Sequence, residues 1–160
     1  MSRPSSPAAG APGAVGQVSL TRITQTYPLE LPLGRAERAA RVKGRTALTI
    51  LNWPGSVPDA VLVLTALVRN ALQHGLGGPC APAGALRAQL ATTSAKRLLI
   101  DVADGNPAFP GFSAVRAGTA GGVMAGLIRW GTIEDLICTV HDEPRGKTVR
   151  AVLDAGAVAL

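Results

Sequence analysis

Three short segments of this 160-residue chain carry side chains whose type and spacing could do chemistry. Ala66, Asn70 and His74 recur at every fourth position, so on a helix they form one stripe. Asn70 and His74 are polar there, in a run otherwise rich in Leu and Val. Such an Asn is either held by a neighbouring carbonyl or faces a pocket. In a pocket its amide oxygen suits a hard cation such as Mg, which takes oxygen ligands and keeps waters beside a bound phosphate. The second segment, Asp101-Val102-Ala103-Asp104-Gly105-Asn106-Pro107, is a strand running into a turn. Gly and Asn make it a plain β-turn on one reading. On the other, Asp104 at the floor of a cleft accepts a hydrogen bond from an exocyclic amine, as in adenine. The third, Gly118-Thr119-Ala120-Gly121-Gly122, precedes a helix and offers backbone amides to phosphate, although glycine-rich turns also occur without any ligand.

The elements that must position these residues are legible from periodicity. Val18 to Thr26 is β-branched and partly alternating, which predicts a strand. Arg35 to Leu51 places Ala36, Ala39, Ala40, Ala47, Ile50 and Leu51 at helical spacing, with Arg35, Arg38, Arg41 and Arg45 on the opposite face. That basic face reads first as solvated helix surface and second as a surface for an acidic partner or phosphate. After the break Trp53-Pro54-Gly55, Ser56 can cap a second helix from about Val57 to His74, with Pro58 in its first turn, Asp59 favouring its positive end and Gly75 as a left-handed cap. Ala85 to Thr92 and Arg97 to Ala103 read as an antiparallel hairpin turning at Thr93-Ser94-Ala95-Lys96. A short helix follows the glycine-rich segment and ends near Trp130-Gly131. Leu136 to His141 and Lys147 to Leu153 are strands around the turn Asp142 to Gly146. Helices and strands fall in separate groups. The expected architecture is therefore α+β, a two-layer sandwich with helices over one face of a mixed, mostly antiparallel sheet.

Composition narrows the function classes. Length alone gives one domain with room for a real core. Sixteen Lys+Arg against ten Asp+Glu give a net charge of +6, but 47% hydrophobic content is that of a folded domain. Aromatic residues are 3%, too few for surfaces that stack bases, so direct nucleic-acid binding is demoted. The longest apolar stretch, Ala60 to Val68, is far short of the roughly 20 residues needed to cross a bilayer. The N-terminal Pro/Ala/Gly/Ser sequence has no signal-peptide core, and two distant cysteines make no disulfide framework, which points to a reduced, cytoplasmic setting. Residues 1–16 read as a tail, 17–155 as the domain and 156–160 as a C-terminal tail. Gly146-Lys147-Thr148 is not a P-loop, because His141 stands where a Gly is required and a strand follows. His74, Cys80, Cys138 and His141 match no closed zinc-site spacing, and Ser113 has no base near it in sequence.

Taken in order, the three segments resemble the histidine kinase-like Bergerat-fold ATPases, and within them the anti-sigma-factor serine/threonine kinase branch, over about Gly34 to Leu153. Leu67-Val68-Arg69-Asn70-Ala71-Leu72-Gln73-His74-Gly75 resembles that family's first box, which implies Asn70 as Mg ligand and His74 near the phosphates. Asp104-Gly105-Asn106-Pro107 resembles the adenine-reading box, with Asp104 as acceptor and Asn106 beside it. Gly118, Gly121 and Gly122 resemble the lid and second glycine box, and Gly146-Lys147-Thr148-Val149 the closing strand, with Thr148 lining the adenine pocket. The resemblance implies ATP and Mg as cofactors. It implies a sigma factor, an anti-anti-sigma protein or another transcription regulator as partner, and allows a homodimer. One position departs from the pattern. Relatives place a Glu one turn before the Asn as general base, where this chain has Ala66, so no catalytic residue is assigned. A methyl group accepts no proton, which removes a contribution of about 10² to 10⁴ in rate. The expected function is nucleotide-dependent partner binding in transcription regulation. The alternatives are an active serine/threonine protein kinase with a base from elsewhere, such as a displaced carboxylate or His74, and a nucleotide-free interaction scaffold.

Overall fold

The computed structural model describes residues 22–75 and 84–156. Strand β1 (Ile23–Pro32) leads through a 3-10 turn, Leu33–Arg35, into helices α1 (Ala36–Ile50) and α2 (Val57–Asn70), the latter continued by a π-helical turn, Ala71–Gly75. Strands β2 (Ala85–Thr93) and β3 (Arg97–Asp104) follow, then helices α3 (Phe112–Arg116) and α4 (Val123–Arg129), then strands β4 (Asp135–Asp142) and β5 (Arg145–Asp154). The five strands form one sheet in the order β1-β2-β3-β5-β4, and every pairing is antiparallel, so the sheet expected to be mixed has no parallel pair among the described residues. The chain leaves β3, crosses through α3 and α4 to the far edge as β4, and returns as β5 in the gap between them.

The architecture is the expected α+β sandwich, with helices on one face of the sheet. Helix α2 is its centre, because every residue from Val63 to Val68 is buried, although Leu62 in its second turn is exposed. Each fully buried leucine there, such as Leu64 or Leu67, contributes about 1.5–3 kcal/mol relative to exposure. Ser56 caps the helix as expected, its hydroxyl accepting the Asp59 N–H at 3.2 Å. Helix α1 turns Ala36, Ala40, Ala47 and Leu48 inward and leaves Arg38, Arg41 and Arg45 exposed, as is Arg35 in the preceding turn. From the sheet, Leu98, Ile100 and Val102 of β3 and Val149, Ala151 and Leu153 of β5 meet the helices. The opposite sheet face carries a small cluster of Ala91, Leu99 and Val152, together with the ion pair Arg150–Asp101 at 2.8 Å.

Several boundaries differ from expectation for physical reasons. The first strand extends to Pro32, past Pro28, because an edge strand pairs on one side only and tolerates prolines there. Its expected start at Val18 lies outside the described residues. Helix α3 was not anticipated, since five residues are too short for a periodic signal. Gly75 is not a left-handed cap, for its φ is not positive. It closes the π-helical turn, and a Cβ there would lie 2.5 Å from Cγ of Asp104, so close approach and not backbone conformation demands glycine. The expected tail over 1–16, most of the C-terminal one and Cys80 lie outside the described residues.

Candidate functional site

A cavity of about 440 Å³ opens between the C-terminal end of α2, the 108–110 loop and the N-terminal end of α4. That volume lies within the ordinary range for a small-ligand site. Asn70, the last residue of α2, and His74, in the π-helical turn, both line it, as do Gly121 and Gly122 where α4 begins. The first and third segments picked out by spacing therefore do face one space. Ala66 also lines the wall, so the methyl group at the position of the expected Glu faces the same volume. Among the described residues lining the cavity none is a carboxylate, whereas Arg69, His74 and Lys147 are basic or titratable to a cation. Arg69 is engaged by Glu37 of α1 at 3.0 Å, and this guanidinium holds the Glu37 carboxyl below its ordinary range.

Asp104 lies beneath the cavity floor rather than on it. It ends β3 directly opposite Lys147 of β5, and the two side chains form an ion pair of 3.0 Å with each only 1% exposed. Oδ1 accepts from Lys147 Nζ at 3.0 Å and from the backbone N–H of Asn106 at 2.8 Å, and Nζ donates a further bond to the Asn106 carbonyl at 2.8 Å. The Phe109 ring centroid lies 5.9 Å from the ammonium. Burial of two opposite charges is tolerable here because their hydrogen-bonding capacity is nearly filled. Glycines frame the pair on two sides. A Cβ at Gly75 would collide with the Asp104 carboxyl, and one at Gly146 would collide with the Asp104 carbonyl oxygen.

The remaining expected site residues divide. Asn106 sits between the π-helical turn and the Asp104 loop, its Nδ2 donating to the His74 carbonyl at 2.8 Å and its Oδ1 accepting from Ala108 N–H at 3.1 Å. Its side chain thus joins the first segment to the second. Gly118 is buried away from the cavity, and its carbonyl accepts from Arg129 Nη1 at 2.7 Å, as does that of Ala120 at 2.8 Å, which ties the start of the lid segment to α4. Thr148 requires a correction. It projects to the opposite sheet face, bonds His141 Nε2 at 2.8 Å and lines a separate groove with Arg87, Gln89 and Asp101. On β5 the helix-facing positions are Lys147, Val149, Ala151 and Leu153, so Thr148 is out of phase. The period of that strand, read from its apolar residues, is the signal that would have placed Lys147 in the site instead. Cys138, on β4, has its thiol pushed up by burial.

Among solved structures, the chain is similar to the RsbU and RsbW domains of Rv1364c from Mycobacterium tuberculosis, with a TM-score of 0.56 and 16% sequence identity over 85% of this chain and 34% of that one. The chain thus spans about a third of the length of that protein, and the likeness is one of fold. No family model matches the sequence, and no curated protein matches it. Among the described residues, no helix is long and apolar enough to cross a membrane. The chain has a two-layer α+β fold similar to one found in that structure, with a cavity at the end of its central helix.

Proposed function

We propose that this chain is an anti-sigma-factor-kinase-like regulatory domain that binds a Mg-nucleotide, ATP in the first instance, and acts through nucleotide-dependent binding of a partner. The observation that carries the proposal is the convergence of Asn70, His74, Gly121 and Gly122 on one cavity, with Ala66 where a general base would stand. The Asn70 amide oxygen would hold Mg, and the glycines would let backbone amides approach the phosphates. Asn106 would keep His74 in place by holding its carbonyl. With no carboxylate among the described lining residues, the cavity offers no carboxylate base to take a proton from an attacking hydroxyl. The active-kinase alternative is therefore disfavoured, and its proton acceptor would have to be His74. The partner class is a sigma factor, an anti-anti-sigma protein or another transcription regulator in the cytoplasm, and a homodimer is compatible with this reading.

The test is calorimetric titration of the whole chain with Mg-ATP, alongside assay of phosphate release and of transfer to a candidate partner. Saturable heat without turnover is expected. Absence of heat ends the nucleotide reading, and stoichiometric phosphorylation of the partner ends the claim that occupancy is the output. A scaffold that has lost nucleotide is the second reading, favoured by the exposed arginines of α1 and by the prior engagement of Asp104 with Lys147. Partner affinity unchanged by Mg-ATP would select it.

A further inference from the structure

Resting on the reading of the cavity as a nucleotide site, we infer that Lys147 sets base selectivity by holding the place on Asp104 that a base amine would take, so that the floor is blind to the 6-substituent of a purine. A carboxylate offers about four lone-pair sites. On Asp104, the Asn106 N–H and the Lys147 ammonium occupy Oδ1, and the same ammonium lies 3.0 Å from Oδ2. The remaining capacity has no route to a ligand in this cavity, whose lining does not include Asp104. The carboxyl is 1% exposed, Gly75 lies against it, and Lys147 stands between it and the cavity. Register makes this arrangement a property of the sheet and not of one rotamer, because Asp104 and Lys147 are directly paired residues of β3 and β5 on the helix-facing side.

Lys147 is itself held by the Asn106 carbonyl and lies near the Phe109 ring. A base amine that reached Asp104 would have to break that buried pair and leave the ammonium without its counter-charge, which costs more than one new hydrogen bond returns. What a nucleotide meets at this end is therefore the half-buried Phe109 ring, with Lys147 buried behind it, and a ring suits the flat face of any purine. The groups that discriminate lie at the other end, around Asn70 and His74. The cavity then selects for the Mg-polyphosphate and tolerates either purine, amino or keto.

The experiment is calorimetric titration of the whole chain with Mg-ATP, Mg-ITP and Mg-tripolyphosphate, repeated on Lys147→Thr. ATP and ITP differ at position 6, amine against carbonyl, which is the position at issue. In the unaltered protein ATP and ITP should bind within about threefold of one another. In Lys147→Thr the freed carboxylate should favour ATP over ITP by about tenfold or more, since a hydrogen bond to a charged group is at stake. A tenfold preference for ATP already present in the unaltered protein overturns the inference, and that result does not depend on the variant folding. Nucleotide binding retained by a folded Lys147→Thr with no new preference for ATP overturns it as well. Failure of all three ligands to bind the unaltered protein instead removes the nucleotide reading on which the inference stands.

Discussion

Asp104 and Lys147 face each other across neighbouring strands and form an ion pair of 3.0 Å with both side chains 1% exposed. The pair joins the strand that ends in the candidate site to the strand that closes the sheet. Its worth lies in mutual compensation, since either charge alone at that depth would lack both water and a counter-charge. Removing one partner should therefore cost about 3–5 kcal/mol, while replacing both by apolar residues of similar volume should cost much less. Chemical denaturation of Asp104→Leu, Lys147→Met and the double variant checks this. The double variant is expected to be more stable than either single one, and losses that simply add would contradict the pairing.

Gly75 touches the same carboxyl from the helical side. A Cβ there would lie 2.5 Å from Asp104 Cγ, and the carboxyl cannot swing away while Lys147 and the Asn106 N–H hold it. Gly75→Ala is expected to destabilise by about 1–3 kcal/mol, the usual cost of overpacking. Urea unfolding measures it, and an unchanged midpoint would show that the π-helical turn relaxes freely.

Ala66 tests the account of missing chemistry. It lies one turn before Asn70 and is 9% exposed on the cavity wall. Ala66→Glu introduces a carboxylate there and should raise phosphate release from Mg-ATP by about 10² or more, the scale of a positioned general base. Release that stays at background in a variant that still binds Mg-ATP would mean that more than this one group is lacking.

Glu37 supplies a pH dependence. Hydrogen bonding to the Arg69 guanidinium, at 3.1 and 3.0 Å, holds its carboxyl below the ordinary range. A carboxyl lowered in the folded state adds stability above its unfolded pKa and loses it as pH falls through the folded one. Both side chains are partly exposed, so solvent screens the pair and its contribution is small. Comparing Glu37→Gln with the unaltered protein should show a small deficit near neutral pH that vanishes in acid. A deficit that grows on acidification would contradict the pairing.

How much of this was legible in the sequence depended on whether a local pattern or a distant contact decided the outcome. The long helices followed from their apolar spacing, and the hairpin between β2 and β3 was recovered almost to its ends, because two β-like runs flank the short polar stretch Thr93-Ser94-Ala95-Lys96. Asn70, His74, Gly121 and Gly122 were found from type and spacing, and the fold brings them onto one cavity. Thr148 was misplaced because a match of motif was given more weight than strand period, which puts Lys147 inward with Val149 and Ala151. Strand period shows which way Lys147 points, but not the partner that makes its burial tolerable. A lysine earns an interior place only through its partner, and Asp104 is 43 residues away in sequence. The roles of Asn106 and Gly75 are likewise set by contacts across the fold, with His74 and Asp104.

The most direct test of the central claim is a thermal-shift comparison of the unaltered chain and Asn70→Ala, each with Mg-ATP, ATP plus a chelator, and no ligand. A ligand that prefers the folded chain raises its melting temperature, by an amount set by its concentration relative to Kd. The account predicts a rise with Mg-ATP in the unaltered chain, a smaller one without Mg and none in Asn70→Ala, whose unliganded melting temperature should stay close to that of the unaltered protein. An equal rise in both proteins, or no rise in either, would contradict it.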